Sequence, residues 1–323
     1  MPMKILLLGK NGQVGSELQR QLVQLGDVIA LDRTGAKNPD KAVGLKQAIQ
    51  LTGDLTNLTG LKHTIETLKP DVIVNAAAYT AVDKAEINID AAMLVNAKAV
   101  DVLAQTAKKV QALLVHYSTD YVFDGSGEKP WSEADMTSPV NEYGRTKLFG
   151  ENAIISSGCQ YLIFRTSWVY GVQGSNFAKT ILRLAKDKKQ IEVIDDQVGA
   201  PTSALLIGEL SVITISKAIT SPSLNGVYHM APQGECSWFD YADFLIAAAK
   251  NLGFSIACKQ VLRIPTNAYP TMAKRPLNSR LNTKKLEENF DITLPDWQSS
   301  VIKWLNQYSQ RYIANINVDD QIR

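Results

Sequence analysis

Three side chains near the middle of the sequence have types and a spacing that suit proton transfer. Tyr143 and Lys147 lie four residues apart in "NEYGRTKLFGENAI", so on a helix both side chains point to the same side. Thr119 lies 24 residues before Tyr143, in the stretch "HYSTDYVFDG". A Tyr-x-x-x-Lys pair alone is common on exposed helix faces. The pair is a much more specific signal of catalysis when it occurs together with the upstream threonine and a nucleotide-binding turn.

These residues could protonate the alkoxide that forms when hydride reduces a carbonyl. A free phenol has a pKa near 10, which is poorly matched to proton donation at neutral pH. We expect the ammonium of Lys147 to favour the phenolate of Tyr143, because a pKa shift of two or three units requires only about 3–4 kcal/mol. Thr119 can donate a hydrogen bond to the same substrate oxygen. The set therefore predicts carbonyl reduction.

The stretch "HYSTDYVFDG" begins as an apolar strand and becomes polar at Ser118, Thr119 and Asp120. A buried hydroxyl or carboxylate without a partner costs about 1–3 kcal/mol, so we expect these groups to have hydrogen-bond partners. Ligands of α/β proteins bind outside the carboxyl ends of the strands. We therefore expect these polar residues to face a ligand at the end of the fourth strand.

A glycine-rich turn near the N-terminus could hold a dinucleotide. In "KILLLGKNGQVGSEL", an apolar strand is followed by Gly9, Gly12 and Gly15, and a helix opens at about Gln13. Such glycines let backbone N–H groups and the positive helix end approach a pyrophosphate. A second predicted strand ends at Asp32, 23 residues beyond Gly9. This is close to the offset of about 20 residues at which an acidic residue binds a ribose hydroxyl.

The residues leave the choice of dinucleotide open. Asp32 favours a ribose with a free 2′-hydroxyl, whereas the adjacent Arg33 could pair with a 2′-phosphate. Arg33 could equally be a solvated loop cation. We expect NADPH as the cofactor, with NADH as the alternative.

The elements that must position these residues alternate between strands and helices. Helical periodicity predicts helices at 13–25, 90–109 and 142–156, and apolar runs predict strands at Ile5–Leu8, Val28–Leu31, Val72–Val74, Leu113–Val115 and Tyr161–Phe164. This order is typical of βαβ units, which form a mostly parallel sheet with helices on both faces. The sequence therefore predicts an α/β fold, with a Rossmann-type doubly wound parallel sheet and a smaller C-terminal α/β substrate-binding domain.

The predicted division of the chain follows from where this alternation stops. Residues 1–171 are expected to form the NAD(P)-binding Rossmann domain, its sheet completed by a strand near 225–230 in "NGVYHM". Residues 172–310, where Pro, Trp and Asn-rich connections join three or four helices, are expected to be mainly a substrate-binding domain. Residues 311–323 are expected to be a tail.

The composition is that of a globular protein with no general charge preference. The chain has 323 residues, of which 45% are hydrophobic and 20% charged, and its net charge is +2. This balance gives no reason to expect nucleic acid or a membrane as a partner. Three cysteines without metal-type spacing argue against a disulfide framework or a zinc site. With no signal-like or membrane-length apolar run, we expect a cytoplasmic protein.

Several longer motifs identify a family resemblance. The chain resembles the extended short-chain dehydrogenase/reductases, and among them the branch that acts on dTDP-4-dehydrorhamnose. The resemblance covers nearly the whole chain and rests on "GKNGQVGSELQ", "LKPDVIVNAAAYTAVDKAE", "HYSTDYVFDG", "NEYGRTKLFGE", "LIFRTSWVYG", "SNFAKTILRLA", "DDQVGAPT" and "AYPTMAKRPLNSRLNT". It implies NADPH- or NADH-dependent reduction of the 4-keto group of dTDP-4-dehydro-β-L-rhamnose to dTDP-L-rhamnose, a precursor of cell-surface polysaccharide. The implied partner is this small-molecule dTDP-sugar.

The resemblance also assigns roles by position. It implies that Thr119, Tyr143 and Lys147 form the catalytic set. The expected cofactor-binding residues, including the glycines of the first turn, are Gly9, Gly12, Gln13, Val14, Gly15, Asp32, Arg33, Asp54, Leu55, Ala78, Tyr79, Thr80, Tyr143 and Lys147. The expected substrate-binding residues are Thr119, Asp120, Trp168, Asn176 and Arg275.

Two features depart from the family pattern. The segment 33–53 is longer than expected, and a lid or surface helix could lie there. Some members dimerise through Mg²⁺ held by glutamates, and Glu17 fits one such position, but Gln298 stands where a carboxylate would help. Such a site uses at least three hard oxygen ligands. We therefore predict no metal-binding residue, and both Mg²⁺ and a homodimer rest on the resemblance alone.

A basic cluster near the C-terminus could hold the diphosphate of a sugar nucleotide. Its members are Lys274, Arg275, Arg280, Lys284 and Lys285. A solvated charged face is the alternative, less so for Arg275, which lies between turn signals. His116, inside the fourth strand, is expected to be a buried histidine with a hydrogen-bond partner rather than an acid.

Two other functions stay open at this point. A nucleotide-sugar 4-epimerase or dehydratase of the same superfamily uses the same three residues but keeps its dinucleotide bound. A non-catalytic regulatory subunit, similar to the reductase-like partner of methionine adenosyltransferase, would have lost them or gained a partner-binding extension. The intact Thr119, Tyr143 and Lys147 weigh against the subunit.

Overall fold

A six-stranded parallel sheet forms the centre of the protein. The computed structural model describes residues 2–34 and 51–319, with side chains up to residue 310. Its strands are β1 (Met3–Leu8), β2 (Gly26–Leu31), β3 (Val72–Asn75), β4 (Leu113–Thr119), β5 (Gln160–Thr166), β6 (Val169–Tyr170), β7 (Gln190–Ile194), β8 (Val198–Gly199), β9 (Thr202–Ser203), β10 (Gly226–His229), β11 (Cys236–Ser237) and β12 (Gln260–Ile264).

The strand order of the large sheet is β2-β1-β3-β4-β5-β10. All neighbouring strands in it run parallel. The direction of winding reverses between β1 and β3, and the crevice at the carboxyl ends of such strands is where α/β proteins bind ligands. The predicted α/β class and Rossmann-type sheet are confirmed.

The described helices cover both faces of the sheet and build the second half of the chain. They are α1 (Gln13–Gln21), α2 (Leu58–Leu68), α3 (Val82–Ala85), α4 (Ile89–Met93), α5 (Ala99–Val110), α6 (Glu142–Ser157), α7 (Phe177–Asp187), α8 (Ala204–Ala218), α9 (Trp238–Asn251), α10 (Lys284–Phe290) and α11 (Trp297–Asp319), with a π-helical turn at Leu94–Lys98 before α5. Within residues 2–34 and 51–319, every helix is too short or too polar to span a bilayer.

Capping residues fix the ends of the helix that carries the predicted catalytic pair. The side chain of Asn141 accepts a hydrogen bond from Gly144 N–H at 2.8 Å, so α6 begins at Glu142. The helix ends at Gly158, which has φ +69°, a conformation that glycine adopts without strain. Tyr143 therefore lies in the first turn, directly beside the carboxyl end of β4.

Apolar side chains alternate between the two faces of the sheet. Ile5 and Leu7 of β1 belong to one buried cluster, while Leu6 and Leu8 belong to the other. A third buried cluster is built around aromatic residues of the second half of the chain, among them Tyr170, Tyr241, Trp297 and Trp304. This pattern is expected of a sheet buried on both faces with a further core beside it.

The second half of the chain returns to the sheet twice. Helix α8 packs against α1, and β10 pairs with β5 in the register Gly226↔Leu162. The division at residue 171 stays a prediction. Helix α11 continues to Asp319, across most of the predicted tail, and the expected lid or surface helix falls mainly on residues 35–50, outside the described residues.

Candidate active site

The turn between β1 and α1 brings backbone close to backbone. Gly9 has φ +83°, and a Cβ there would lie 2.7 Å from the backbone nitrogen of Ala77. A Cβ on Gly15 would lie 2.0 Å from the carbonyl oxygen of Gly9. Helix α1 begins at Gln13 after Gly12 with no capping side chain, so its first N–H groups can face an anion. The turn fits the pyrophosphate of a dinucleotide.

Asp32 lies at the carboxyl end of β2, and its carboxylate contacts residues of the glycine turn. Its carboxylate accepts hydrogen bonds from Asn11 at 2.6 Å and from the hydroxyl of Thr34 at 2.7 Å, and it lies 3.5 Å from the Lys10 ammonium. The Thr34 hydroxyl is the main reason that the pKa of Asp32 falls to about 2, and Asn11 and Lys10 lower it further. The neighbouring Arg33 is exposed. An ionised acceptor therefore stands where a ribose hydroxyl is expected.

Two predicted cofactor-binding residues, Asp54 and Leu55, follow a backbone contact to Asp32. Gly53 N–H donates to the carbonyl of Asp32 at 3.1 Å. The carboxylate of Asp54 accepts from the N–H and hydroxyl of Thr56, and Leu55 is buried in the core. Both side chains are therefore engaged within the protein, and their part in cofactor binding stays a prediction. Val14 likewise packs against the core, which leaves its backbone for the cofactor.

The loop after β3 contains Ala78, Tyr79 and Thr80 at the switch point of the sheet. Asn96, in the π-helical turn, accepts from Tyr79 N–H at 2.8 Å and donates to the Tyr79 carbonyl at 3.1 Å. The same amide donates to the hydroxyl of Thr146 on α6 at 3.1 Å. The buried side chain of Asn96 thus connects the loop after β3, whose residues are expected to bind the cofactor, to helix α6.

Thr119 and Tyr143 come together at the carboxyl end of β4. Thr119 is the last residue of β4, its hydroxyl donates to a carboxylate oxygen of Asp120 at 3.0 Å, and it lies near enough to Tyr143 to lower the pKa of that phenol. Burial is the main reason that the pKa of Tyr143 rises above its ordinary value, and the charge of Asp120 raises it further, while Thr119 opposes the rise. The phenol therefore keeps its proton at neutral pH.

Lys147 lies one turn further along α6 and is almost fully buried. Its Nζ donates to the carbonyl of Tyr117 at 2.6 Å and lies 3.1 Å from Nε2 of His116. Burial lowers the pKa of Lys147 to about 8, and the charge of Glu151 opposes this. The expected lowering of the Tyr143 pKa by Lys147 is not seen: burial raises this pKa, and Lys147 is not among the groups that shift it.

His116 has the environment that its position in a strand predicts. It is 1% exposed, and both ring nitrogens have partners, Asn75 Nδ2 at 3.1 Å and Lys147 Nζ at 3.1 Å. Burial, followed by the charge of Lys147, holds the pKa of His116 well below its ordinary range. The prediction of a buried histidine with hydrogen-bond partners is confirmed.

Asp120 is a buried carboxyl beside the predicted catalytic residues. It is 3% exposed, and its Oδ2 has no hydrogen-bond partner among the described residues. Burial raises the pKa of Asp120 to about 6, although the hydroxyls of Ser279 and Thr119 counteract the rise. An unpartnered buried acceptor of this kind suits a polar group of a bound ligand.

Ser118 differs from the expectation that it faces a ligand. Its hydroxyl donates to Glu151, which also forms a bidentate pair with Arg165, with Nη2 to Oε2 at 2.7 Å. All three side chains are buried. Ser118 therefore belongs to a polar network that joins β4, α6 and β5 behind the site, and only Thr119 and Asp120 continue toward it.

Trp168 lies between β5 and β6 in a strained conformation. Its φ is +49°, which is an outlier for a bulky residue, and its ring stacks on Trp238 with centroids 3.7 Å apart. A Cβ on Gly199 would lie 3.0 Å from the Trp168 ring. Strain of this kind is typical of functional sites and persists only where the surroundings hold it.

Arg275 joins the C-terminal segment to the catalytic region. Its guanidinium pairs with Asp83 at 2.8 Å and lies near Tyr121, where it opposes the rise in the Tyr121 pKa that burial causes; the ring of Tyr121 lies edge-on to Tyr143 at 5.7 Å. Other members of the predicted basic cluster are engaged elsewhere. Arg280 pairs with Glu235, and Lys285 donates to a backbone carbonyl. The five residues therefore do not act as one phosphate-binding patch.

Asn176 caps a helix and contacts the glycine turn. Its Oδ1 accepts from Lys179 N–H at 3.0 Å, and its Nδ2 donates to Gln13 and to the Gly171 carbonyl, each at 2.8 Å. The amide is thus used within the protein. This arrangement favours a positioning role beside the cofactor turn over the expected contact with the sugar.

Glu17, the residue that the family resemblance links to Mg²⁺, is engaged within the chain. Glu17 is 3% exposed and pairs with Arg20. Across residues 2–34 and 51–310, no group of three His, Cys, Asp or Glu side chains could hold a metal ion. We derive no step through a metal.

Comparison with known proteins assigns the chain to a family. Residues 3–310 match the family described as RmlD substrate binding domain. The chain belongs to this RmlD family. A member from Escherichia coli K12, named dTDP-4-dehydrorhamnose reductase, is 47% identical over 305 residues, which cover 94% of this chain and 98% of that protein. One from Burkholderia thailandensis with the same name is 44% identical, covering 93% and 97%.

Solved structures agree with this assignment. The RmlD-family fold is similar to a crystal structure of dTDP-4-dehydrorhamnose reductase from Bacillus anthracis in complex with NADP, with a TM-score of 0.82 and 31% identity. The match covers 95% of this chain and 100% of that chain. A structure of WbmH from Bordetella bronchiseptica in complex with NAD⁺, at 19% identity and a TM-score of 0.73, speaks to the fold alone.

Sequence reasoning missed several residues that complete the site. Tyr121, Asp83 and Ser279 surround Asp120 and Tyr143, and Asn96 and Asn75 hold neighbouring elements through buried amides. The only sequence signal for Tyr121 was its place two residues after Thr119. Asp83 and Ser279 lie far along the chain from these residues, so only the fold brings them there.

Proposed function

We propose that the protein reduces the 4-keto group of dTDP-4-dehydro-β-L-rhamnose to dTDP-L-rhamnose, with NADPH as the preferred cofactor and NADH as the alternative. The observation that carries this is the juxtaposition of buried Thr119 and half-buried Tyr143 at the end of β4. They adjoin the switch-point crevice that the glycine turn borders. The relatives named dTDP-4-dehydrorhamnose reductase cover nearly the whole chain and support this substrate class.

The residues of the chain divide the work as follows. A bound reduced nicotinamide would supply the hydride. Tyr143 carries the proton that the nascent alkoxide needs, because a phenol is protonated at neutral pH, and Thr119 opposes the rise in its pKa that burial causes. Thr119 orients and polarises the same oxygen through its hydroxyl. Asp120, with its unpartnered Oδ2, accepts a hydrogen bond from a sugar hydroxyl.

Other parts of the site hold the two ligands in place. The backbone of the glycine turn holds the pyrophosphate, and Asp32 accepts from the adenosine ribose. On the substrate side, Trp168 offers an aromatic face, and Arg275 offers a guanidinium near Tyr121 for the dTDP-sugar.

The test is a kinetic comparison of two variants in which only an oxygen or a hydroxyl is lost. Tyr143→Phe should lower kcat by about 10²–10⁴, the usual contribution of a placed general acid, with unchanged fold and NADPH affinity. Thr119→Val should lower kcat less, because Thr119 only orients and polarises. The assay is NADPH oxidation with dTDP-4-dehydrorhamnose, beside the UDP and GDP 4-keto sugars. Near-normal turnover of Tyr143→Phe would refute the assignment of the proton donor.

The same assay separates the alternatives. A nucleotide-sugar epimerase or dehydratase would purify with dinucleotide attached and would need no added NADPH. A regulatory subunit would oxidise NADPH with none of the sugars. Unpaired, buried Cys159, Cys236 and Cys258 support a reducing compartment, and we place the enzyme in the cytoplasm on that ground. The homodimer stays a prediction, which sedimentation of the purified protein measures.

A further inference from the structure

A buried chain of hydrogen bonds reaches Lys147 from strands β3 and β4. It starts at the backbone of the loop after β3 and passes through Asn75 and His116. These two residues lie opposite each other in the register of β3 and β4, and each is 1% exposed. The mechanism proposed above does not use either of them.

The first hydrogen bond determines which atoms donate and which accept in the bonds that follow it. Ala77 N–H can only donate, and it donates to Oδ1 of Asn75 at 3.2 Å. The other atom of the amide, Nδ2, is therefore the one that faces His116 Nδ1, at 3.1 Å. An amide nitrogen only donates, so Nδ1 of His116 must accept and carries no proton.

The tautomer of His116 in turn determines whether Nε2 donates to Lys147 or accepts from it. A neutral imidazole with an unprotonated Nδ1 carries its proton on Nε2, and Nε2 lies 3.1 Å from Nζ of Lys147. An ammonium has only donors and would oppose this N–H, whereas a neutral amine has a lone pair that accepts it. The Nζ also donates to the carbonyl of Tyr117 at 2.6 Å, which either form can do.

We propose that Asn75 and His116 are positioning residues for Lys147, and that by presenting the Nε2–H of His116 they favour its neutral amine over its ammonium. Burial acts in the same direction, since it lowers the pKa of Lys147 to about 8. An ammonium places an N–H of Nζ against the Nε2–H of His116, and this conflict is relieved when His116 moves its proton to Nδ1 and Asn75 turns, which breaks the bond from Ala77 N–H. The protonation of Lys147 is thereby coupled to the tautomer of His116.

The other charged groups around Lys147 do not supply this bias. Glu151, one turn along α6, favours the ammonium, but its carboxylate is engaged by Arg165 of β5 and by Ser118. Asp120 and Tyr143 lie toward the ligand side, and Lys147 is the charged group that lowers the pKa of His116 beyond the effect of burial.

Nuclear magnetic resonance of the intact wild-type chain tests the first step directly. The sequence has three histidines, so ¹⁵N-histidine labelling gives a simple spectrum, and His116→Gln identifies the signal of His116. At pH 9 we expect the Nε2–H tautomer, with an unprotonated Nδ1. The Nδ1–H tautomer at that pH would overturn the proposal, and this result needs no variant of Asn75 to fold.

Titration of Lys147 tests the second step. In protein labelled at lysine ¹³Cε, with the signal assigned through Lys147→Met, Asn75→Leu should raise the midpoint of Lys147 by about 0.5–1 unit, since one hydrogen bond that favours the amine is lost. His229→Phe is the matched control, because His229 is also fully buried and its ring hydrogen-bonds to neither Asn75 nor His116. An unchanged midpoint in folded Asn75→Leu would contradict the proposal.

A kinetic readout connects the bias to turnover and rests on the proposed function, with Lys147 in the catalytic set that the family resemblance implies. If the ammonium supports the reaction, kcat falls as pH rises through the pKa of Lys147, and Asn75→Leu should move this limb to higher pH by the same 0.5–1 unit. The two proposals can fail separately. Absence of reductase activity in the wild type would refute the proposed function. If Asn75→Leu is active and neither the Lys147 midpoint nor the pH limb of kcat moves, the positioning role of Asn75 and His116 is refuted.

Discussion

The buried carboxyl of Asp120 should make folding stability depend on pH in a direction opposite to that of most aspartates. In the unfolded chain its pKa is near the ordinary 3.8, and burial raises it to about 6 in the fold. Between these pH values the folded state binds more protons than the unfolded state, so the free energy of unfolding falls as pH rises. Below 3.8 both states are protonated, and above 6 the full penalty applies.

The size of the effect follows from the shift. About two pKa units, at about 1.4 kcal/mol each, correspond to about 3 kcal/mol of stability that the wild type lacks at pH 7 relative to pH 4. Asp120→Asn keeps the shape of the side chain and the acceptor for Thr119 but cannot ionise. The variant should therefore gain stability over the wild type as pH rises, by up to about 3 kcal/mol between pH 4 and pH 7, at the cost of activity.

Urea unfolding followed by circular dichroism at pH 4, 5, 6, 7 and 8 measures this difference. Asp124→Asn is the control, because the N–H of Ser126 lowers the pKa of Asp124. A lowered pKa contributes stability at neutral pH that is lost as pH falls, so the control should change in the opposite sense. A stability difference between Asp120→Asn and the wild type that stays constant from pH 4 to pH 8 would refute the reasoning.

Two further predictions concern the ligands. Arg33→Ala should raise KM for NADPH roughly 10- to 100-fold and leave KM for NADH nearly unchanged, because a charge-assisted hydrogen bond contributes about 1.5–3 kcal/mol; equal losses with both cofactors would contradict a contact with the 2′-phosphate. Arg275→Ala should raise KM for the dTDP-sugar by a similar factor while the Kd of NADPH stays the same, as measured by fluorescence quenching. An unchanged substrate KM would mean that Arg275 serves only to pair with Asp83.

The sheet could be predicted from the sequence because each of its strands is marked by a local apolar run. The prediction that the fourth strand starts at Leu113 and that Ser118, Thr119 and Asp120 lie at its carboxyl end is confirmed by β4, but the expectation that Ser118 faces a ligand is wrong. Periodicity gave no warning of this, since Ser118 is buried through its bond to Glu151, a residue 33 positions away. Long-range partners of this kind decide burial, and a local pattern does not contain them.

The site shows the same division. The Tyr143–Lys147 spacing predicts that both side chains share a helix face, and both lie in α6 as expected. The spacing could not predict that Lys147 turns toward His116 and Tyr117, because those contacts depend on how α6 packs against β4. The direction of the Tyr143 pKa shift depends on burial in the same way.

The pairing of β10 with β5 has a consequence for how the protein is made. During synthesis, β5 is complete at Thr166, but its outer neighbour is not available until His229 has left the ribosome. Until then β5 presents an open edge of unpaired N–H and C=O groups, and α8 has not yet covered the apolar face beside α1. Such edges are where nascent chains associate with one another. A gene fragment that stops at residue 171 should therefore yield an aggregating product rather than a small cofactor-binding protein, and the shortest fragment that folds should include His229.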